Sequence, residues 1–273
     1  MKSALITGGL GFVGSHLVDE LLADGYKVTI VDNLISNVAQ PEEYAKNCTI
    51  ILAPIEDTWQ QLSPENGHQF SEIYHMASVV GPAGVLKHAG DIARSVIYSH
   101  EAVVNLALQH KARLILASTS EVYGHTRSFN ENDPCIIPSK YTVRLEYAAA
   151  KLTSEISAIN RALVTDLHVN VIRPFNISGA RQLPEGGFVL PRFVVAALTG
   201  QPLTVFGDGR QVRAFTDVRD IVSGMRLAMA SDHKSEVFNL GNAANELSIR
   251  SLAERVVRSE ERRVRKECRS RWS

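Results

Sequence analysis

The stretch from Lys2 to Asn33 restricts the possible folds more than any other part of the chain. An apolar run, Ala4 to Ile6, has the length of a buried strand and passes straight into TGGLGFVG, Thr7 to Gly14. Leu17, Val18, Leu21 and Leu22 then recur at helical spacing, and Asp24-Gly25 ends the helix. Lys27 to Val31 reads as a second strand, closed by Asp32 and Asn33. Strand, glycine turn, helix, strand and acid form a dinucleotide fingerprint, and each part has a physical task. Gly8 permits the tight turn, Gly11 lets the backbone approach a pyrophosphate, and Gly14 lets the helix pack closely on the sheet. The helix amino-terminus, at Phe12 and Val13, turns unpaired N–H groups and a partial positive charge towards the phosphates. Asp32 would accept from both adenosine ribose hydroxyls and repel a 2′-phosphate, so NAD is expected rather than NADP. The plain alternative is a glycine-rich turn that only packs a helix on a sheet.

Composition limits the rest. With 273 residues, 45% hydrophobic and 21% charged, the chain suits one large domain or a domain with a smaller lobe. A formal net charge of zero gives no reason to expect nucleic acid or an anionic membrane surface as partner. No apolar run has transmembrane length and no signal peptide is legible, so a cytoplasmic protein is expected. Cys48, Cys135 and Cys268 are few and scattered, which indicates neither a disulfide framework nor a metal site.

Further along, Thr49 to Leu52 and Ile73 to Met76 read as strands, the latter ending at Ala77-Ser78. His75, inside that strand, reads as a packed histidine. Asp91 to Lys111 is predicted helical and Leu114 to Ala117 a strand from whose end STSEVYG, Ser118 to Gly124, departs. His125 to Lys140 reads as a loop, Tyr141 to Leu163 as a long helix, and Val169 to Ile172 as a strand entering Arg173-Pro174-Phe175-Asn176. This alternation predicts an α/β fold with a doubly wound parallel sheet, a Rossmann fold over residues 1–177. Residues 178–257 read as a smaller lobe: a helix at Val189 to Leu198, a strand at Leu203 to Phe206, a helix at Asp217 to Met229, a strand at Val237 to Leu240 and a last helix at Ser248 to Val257. Residues 258–273 differ in kind, with seven Lys/Arg against three Glu. Apart from Arg265, that run resembles the translation of a sequencing-library adapter. It is read as a non-native tail replacing the natural carboxyl end, the alternative being a solvated basic helix.

Tyr147-Ala148-Ala149-Ala150-Lys151 sets a phenol and an ammonium on one face of the predicted helix. A free tyrosine, with a pKa of about 10, is too weakly acidic to serve as a base at neutral pH. A lysine cation and an oxidised nicotinamide both favour its phenolate. Tyr147 could then take a hydroxyl proton while hydride leaves the same carbon, with Thr119 bonded to the same oxygen. A surface helix pair is the alternative for an isolated Y-x-x-x-K.

TGGLGFVG, HMAS, STSEVYG, YAAAK, RPFN and PLTVFGDGRQVRAFTDVRD together resemble the extended short-chain dehydrogenase/reductases of the NAD-dependent epimerase/dehydratase family, over about Lys2 to Val257. The resemblance implies a catalytic set of Thr119, Tyr147, Lys151 and Glu121. It implies NAD contacts at Gly8, Gly11, Phe12, Val13, Gly14, Asp32, Asn33, Ala77, Tyr147, Lys151 and Pro174. A nucleotide-diphosphate sugar, most simply a UDP-sugar, would meet Ser120, Glu121, Asn176, Arg181, Arg213 and the backbone around Val189 and Val205. The likeness also implies a homodimer formed through the two long helices. Ser99 stands where relatives commonly have asparagine, and Pro54 where an acidic residue often meets the adenine.

In this family a first oxidation makes a 4-keto sugar, and neighbouring side chains decide the fate of that ketone. Ser120-Glu121 lacks the aspartate of a 4,6-dehydratase. It resembles UDP-glucuronate decarboxylases, in which Arg181 could hold the carboxylate, but Ser78 to Leu86 lacks the proline-rich pattern associated with that group. The favoured expectation is a nucleotide-sugar 4-epimerase, with the decarboxylase as alternative. A catalytically silent NAD sensor is the third reading.

Overall fold

A computed structural model describes residues 2–270 except Val80, His125, Arg127 and Ser128, with no side-chain description from 262 onward. In chain order the first half runs β1 (Ser3–Thr7), α1 (Phe12–Ala23), β2 (Lys27–Asp32), α2 (Pro41–Tyr44), β3 (Cys48–Leu52), α3 (Ile55–Thr58), β4 (Glu72–His75), α4 (Gly81–Lys87), α5 (Ile92–His110) and β5 (Arg113–Ala117). The second half runs α6 (Val143–Val164), β6 (His168–Pro174), β7 (Ile177–Ser178), α7 (Val189–Leu198), β8 (Val212–Ala214), β9 (Thr216–Asp217), α8 (Val218–Ala230), β10 (Val237–Leu240), β11 (Glu246–Ser248) and α9 (Ile249–Ser270).

Seven strands form one parallel sheet in the order β10-β6-β5-β4-β1-β2-β3. Alternate residues along each strand feed opposite layers, because successive side chains point to opposite faces. Ala4, Ile6, Ile30, Ile115 and Ile172 join Leu17, Leu21, Ile221 and Met225 of α1 and α8. Leu5, Val31, Leu114, Leu116 and Val171 join Val103, Leu106, Ala107, Ala158 and Ala162 of α5 and α6. Covering both faces makes the strands nearly continuous apolar runs, as buried parallel sheets require. Strand order reverses between β1 and β4, and the crevice beyond their carboxyl ends is where open sheets of this kind bind ligands.

Several sequence expectations need correction. Val237–Leu240, assigned to the smaller lobe, pairs with β6 in the main sheet, from Val237 beside Val171 to Leu240 beside Pro174. A short, mostly apolar and half-buried run suits a sheet edge in either place, and only the tertiary pairing distinguishes them. Leu203 to Phe206 is extended but forms no ladder. Leu203 and Val205 instead pack on Phe193, Phe215, Ile249 and Leu252, the small core shared by α7 and α9. The last helix does not stop at Val257. It continues to Ser270, since no glycine or proline interrupts residues 249–270. The segment expected to lack the proline-rich pattern contains α4. In the loop expected from His125 to Lys140, His125, Arg127 and Ser128 lie outside the described residues, as does Val80.

No helix among the described residues is long and apolar enough to cross a membrane.

Candidate active site at the strand ends

The glycine turn behaves as a cradle. Gly8 has φ +70°, and a Cβ there would lie 2.8 Å from the Ala77 amide nitrogen, so β1 and β4 approach too closely at this point for a side chain. A Cβ on Gly11 would come within 3.2 Å of the Gly8 carbonyl oxygen, and one on Gly14 would overlap it. Gly11 caps α1 without any side-chain hydrogen bond, which leaves the first helical amides, at Phe12 and Val13, open to an anion. Asp32 is buried at the end of β2, where its two carboxylate oxygens accept the Leu10 amide at 2.9 Å and the Leu34 amide at 2.8 Å. That grip fixes the carboxylate, and each oxygen keeps a second acceptor direction for a ribose hydroxyl. Asn33 is exposed and accepts the Ile35 amide at 3.2 Å. These residues fit a dinucleotide, whose pyrophosphate the cradle would hold and whose adenosine ribose Asp32 would meet.

Beyond β4, the Ala77 amide donates to Thr7 Oγ1 at 3.2 Å. Thr7 Oγ1 also lies 2.7 Å from His75 Nδ1, and His75 Nε2 lies 3.4 Å from Ser99 Oγ, which itself donates to the Val96 carbonyl at 3.2 Å. Ser99 has therefore used its proton, so His75 donates through Nε2 and accepts from Thr7 through Nδ1. Burial holds His75 neutral, far below its ordinary pKa, with help from the Lys151 charge. It is a packed histidine, as the sequence suggested.

From the end of β5, Ser118 donates to Glu155, which is locked to Arg173 by an ion pair of 2.6 Å. Thr119 is buried, and its Oγ1 accepts the Glu121 amide at 3.2 Å, starting a short 3₁₀ turn over Ser120–Tyr123. Tyr147 and Lys151, one turn apart on α6, are both buried beneath it. Lys151 Nζ donates to the Ala117 carbonyl at 2.9 Å. Its pKa is pushed down to about 8 by burial, with Glu155 opposing. Burial raises the Tyr147 phenol, the Glu121 carboxylate raises it further, and the Ser78 and Thr119 hydroxyls act in the opposite direction. Among these neighbours Tyr147 is held as a phenol, and its activation needs added positive charge beside it. Glu121 forms a 2.6 Å ion pair with Arg144 in the first turn of α6.

Ser78 and Arg144 are site residues that sequence reasoning passed over. Ser78 closes HMAS, the motif that drew attention to Ala77, and its buried Oγ has no partner by hydrogen-bond geometry among the described residues. Its place near the phenol is set by tertiary packing and not by local sequence. Arg144 lies outside every motif.

The expected substrate residues are more dispersed. Arg181, φ +67°, pairs with Asp19 of α1 at 2.7 Å and reaches Tyr44 Oη at 3.4 Å. Its guanidinium thus joins the cofactor helix to the loop after β7, whereas the sequence placed it on a substrate carboxylate. Asn176, exposed with φ +24°, accepts the Thr216 amide at 3.2 Å through its carbonyl. Val189 and Val205 pack into the small α7/α9 core. Arg213 on β8 is exposed and donates to the Val212 carbonyl at 2.8 Å. Pro174 ends β6 beside Leu240. No hydrogen bond among the described residues links Asn176 or Arg213 to Thr119, Tyr147 or Lys151.

A dinucleotide cradle opening onto a buried phenol and ammonium has the parts of an enzyme that moves hydride to and from an alcohol carbon. Residues 4–241 match the model of the NAD dependent epimerase/dehydratase family, and the chain belongs to that family, with NAD as its cofactor. It is 37% identical over 259 residues to UDP-N-acetyl-alpha-D-glucosaminuronate decarboxylase of Bacillus cytotoxicus, covering 93% of this chain and 79% of that protein. It is 36% identical over 245 residues to UDP-glucuronic acid decarboxylase 1 of Danio rerio, covering 88% of this chain and 57% of that one. It therefore spans little more than half of the second relative's length. Among solved structures, UDP-glucose 4-epimerase of Thermotoga maritima with UDP-glucose superposes with a TM-score of 0.82 at 29% identity, covering 93% of this chain and 81% of that chain.

Proposed function

We propose that the protein is a nucleotide-sugar decarboxylase acting on a UDP-linked uronic acid. The observation that carries this reading is Ser120-Glu121 following Thr119 on the strand-end turn, in a chain whose curated relatives bear decarboxylase names at 36–37% identity. The epimerase favoured by sequence alone becomes the second reading, supported by the likeness to UDP-glucose 4-epimerase.

NAD, held by the Gly8–Gly14 cradle and Asp32, would supply reversible hydride exchange at C4 of the sugar. Tyr147 removes the 4-hydroxyl proton, assisted by the Lys151 ammonium and by Thr119 on the same oxygen. The resulting 4-ketone makes the 6-carboxylate a β-keto acid. The C5–C6 bond then breaks, its electron pair entering the C4 carbonyl as an enolate while carbon dioxide leaves. Protonation at C5 completes the loss, with a proton delivered from solvent through Ser120 and the Glu121 carboxylate in this proposal, and Tyr147 returns its proton when C4 is reduced. No net oxidation occurs. A 4-epimerase would use Thr119, Tyr147 and Lys151 alone and would return hydride to the other sugar face.

The elements between residues 178 and 257 that lie outside the main sheet form the nucleotide lobe in this proposal. Asn176 and Arg213 meet the diphosphate, and the backbone at Val189 and Val205 lies near the base. Arginine suits phosphate by its charge and planar donor fork. A homodimer through α5 and α6 is also proposed, supported by Tyr98 and Ile156, each about half exposed on those helices (53% and 52%). Glu121→Gln tests the reading: carbon dioxide release from a UDP-uronate should fall by about 10²-fold or more. Wild-type rates in that variant would remove Glu121 from the chemistry.

A further inference from the structure

His100 is the most anomalous polar group in the molecule. It is 1% exposed on α5, and neither ring nitrogen has a protein partner among the described residues. Buried polar groups are almost always paired with protein or with ordered water, and an unpaired one is costly. Both α5 and α6 return between parallel strands, so they run in the same direction. Ile92 and Val96 of α5 share one cluster with Val143 and Tyr147 of α6. Continuing that register by one turn sets His100 beside Lys151. Lys151 carries three donors, of which one is taken by the Ala117 carbonyl.

We infer that His100 is a positioning residue for Lys151, acting through a water molecule held between the imidazole and the ammonium. The water accepts from Lys151 and donates to the unprotonated nitrogen of His100, which gives that ring an acceptor role no protein group fills. Lys151 thereby keeps both its charge and its direction next to Tyr147. The titratable groups that act here are Lys151 from α6 and His75 from β4, each acting on or acted on by His100, with Glu155 from α6 acting on Lys151. His100 stays neutral, lowered to about 4 by burial and the Lys151 charge, which is the form that can accept. The inference rests on Tyr147 and Lys151 acting together in the proposed reaction but not on the identity of the sugar.

The test is an NMR titration of Lys151 through its side-chain carbon in the NAD-bound protein, with His100→Phe, His100→Leu and His100→Gln. Loss of a water acceptor removes a bond to the charged form, so the Lys151 midpoint should drop by about one unit in the Phe and Leu variants. Gln, which can accept, should recover most of it. Turnover should show its alkaline limb, where Lys151 loses its charge, displaced to lower pH in the Phe variant, with kcat falling more than KM changes. An unchanged Lys151 midpoint in both apolar variants, or equal displacement in His100→Gln, overturns the inference. Because this readout needs no turnover, it is decided separately from the decarboxylase reading, and two apolar variants guard against one failing to fold.

Discussion

Lys151 is an ammonium with almost no contact with solvent, and its charge costs the ligand-free protein stability. Its pKa is about 8 in the folded chain against an ordinary 10.5, with burial the cause. Between those values the unfolded chain binds more protons than the folded one, so stability rises with pH across that window, and below about 8 the penalty is fully present. Lys151→Met should therefore raise the melting temperature of the ligand-free protein at pH 7 by roughly 3–6 °C while abolishing turnover. A lower melting temperature by calorimetry would mean that the Ala117 and Glu155 interactions outweigh desolvation. Tyr147→Phe removes the acid and base without disturbing the packed ring. Turnover should drop about 10²–10⁴-fold with NAD affinity by calorimetric titration unchanged. A silent NAD sensor would show no such loss, having no turnover to lose. Both residues were legible in sequence because a four-residue spacing places side chains on one helical face. His100 and Ser78 were not, because the unpaired ring of His100 among the described residues and the place of Ser78 near Tyr147 are both products of tertiary packing. The pairing of Arg181 with Asp19 was not legible, because a charge near a substrate motif looks the same in sequence whether or not it also meets a carboxylate of the cofactor helix.

At the scale of elements, the start of α1 is the most constrained join in the fold, since the Gly8 carbonyl fills the space a Gly14 side chain would need. Gly14→Ala should weaken NAD binding by at least about 100-fold by displacing the helix from the turn, and near-normal affinity by fluorescence titration would show the turn can yield. The Arg181–Asp19 pair between α1 and the loop after β7 is of a different order, with side chains about 40% exposed (37% and 43%). Asp19→Asn is expected to change stability by less than about 1 kcal/mol in urea unfolding. The β1–α1–β2 unit could be read from sequence because glycines, helical periodicity and a terminal acid fall within one short stretch. The extended run Leu203 to Phe206 could not, because four apolar-rich residues look alike whether they pair in a ladder or cover a small core.

For the whole molecule, two-faced burial of the sheet made the doubly wound class readable, since strands with apolar residues at consecutive positions need helices on both sides. The membership of β10 in that sheet was not readable, because pairing with β6 is set by the tertiary route of α8. The exposed apolar side chains on α5 and α6 offer a second copy of the chain a surface to cover. Sedimentation at micromolar concentration should give a dimer, and Ile156→Glu should shift it towards monomer. The most direct measurement of the central claim is NMR of the products formed with NAD from UDP-glucuronate, UDP-N-acetylglucosaminuronate and UDP-glucose, supplied separately. A decarboxylase should convert one of the two uronates to the corresponding UDP-pentose with one carbon dioxide released and leave UDP-glucose unchanged. Conversion of UDP-glucose to UDP-galactose, or of a uronate to its C4 epimer with the carboxylate retained, would contradict it and restore the epimerase.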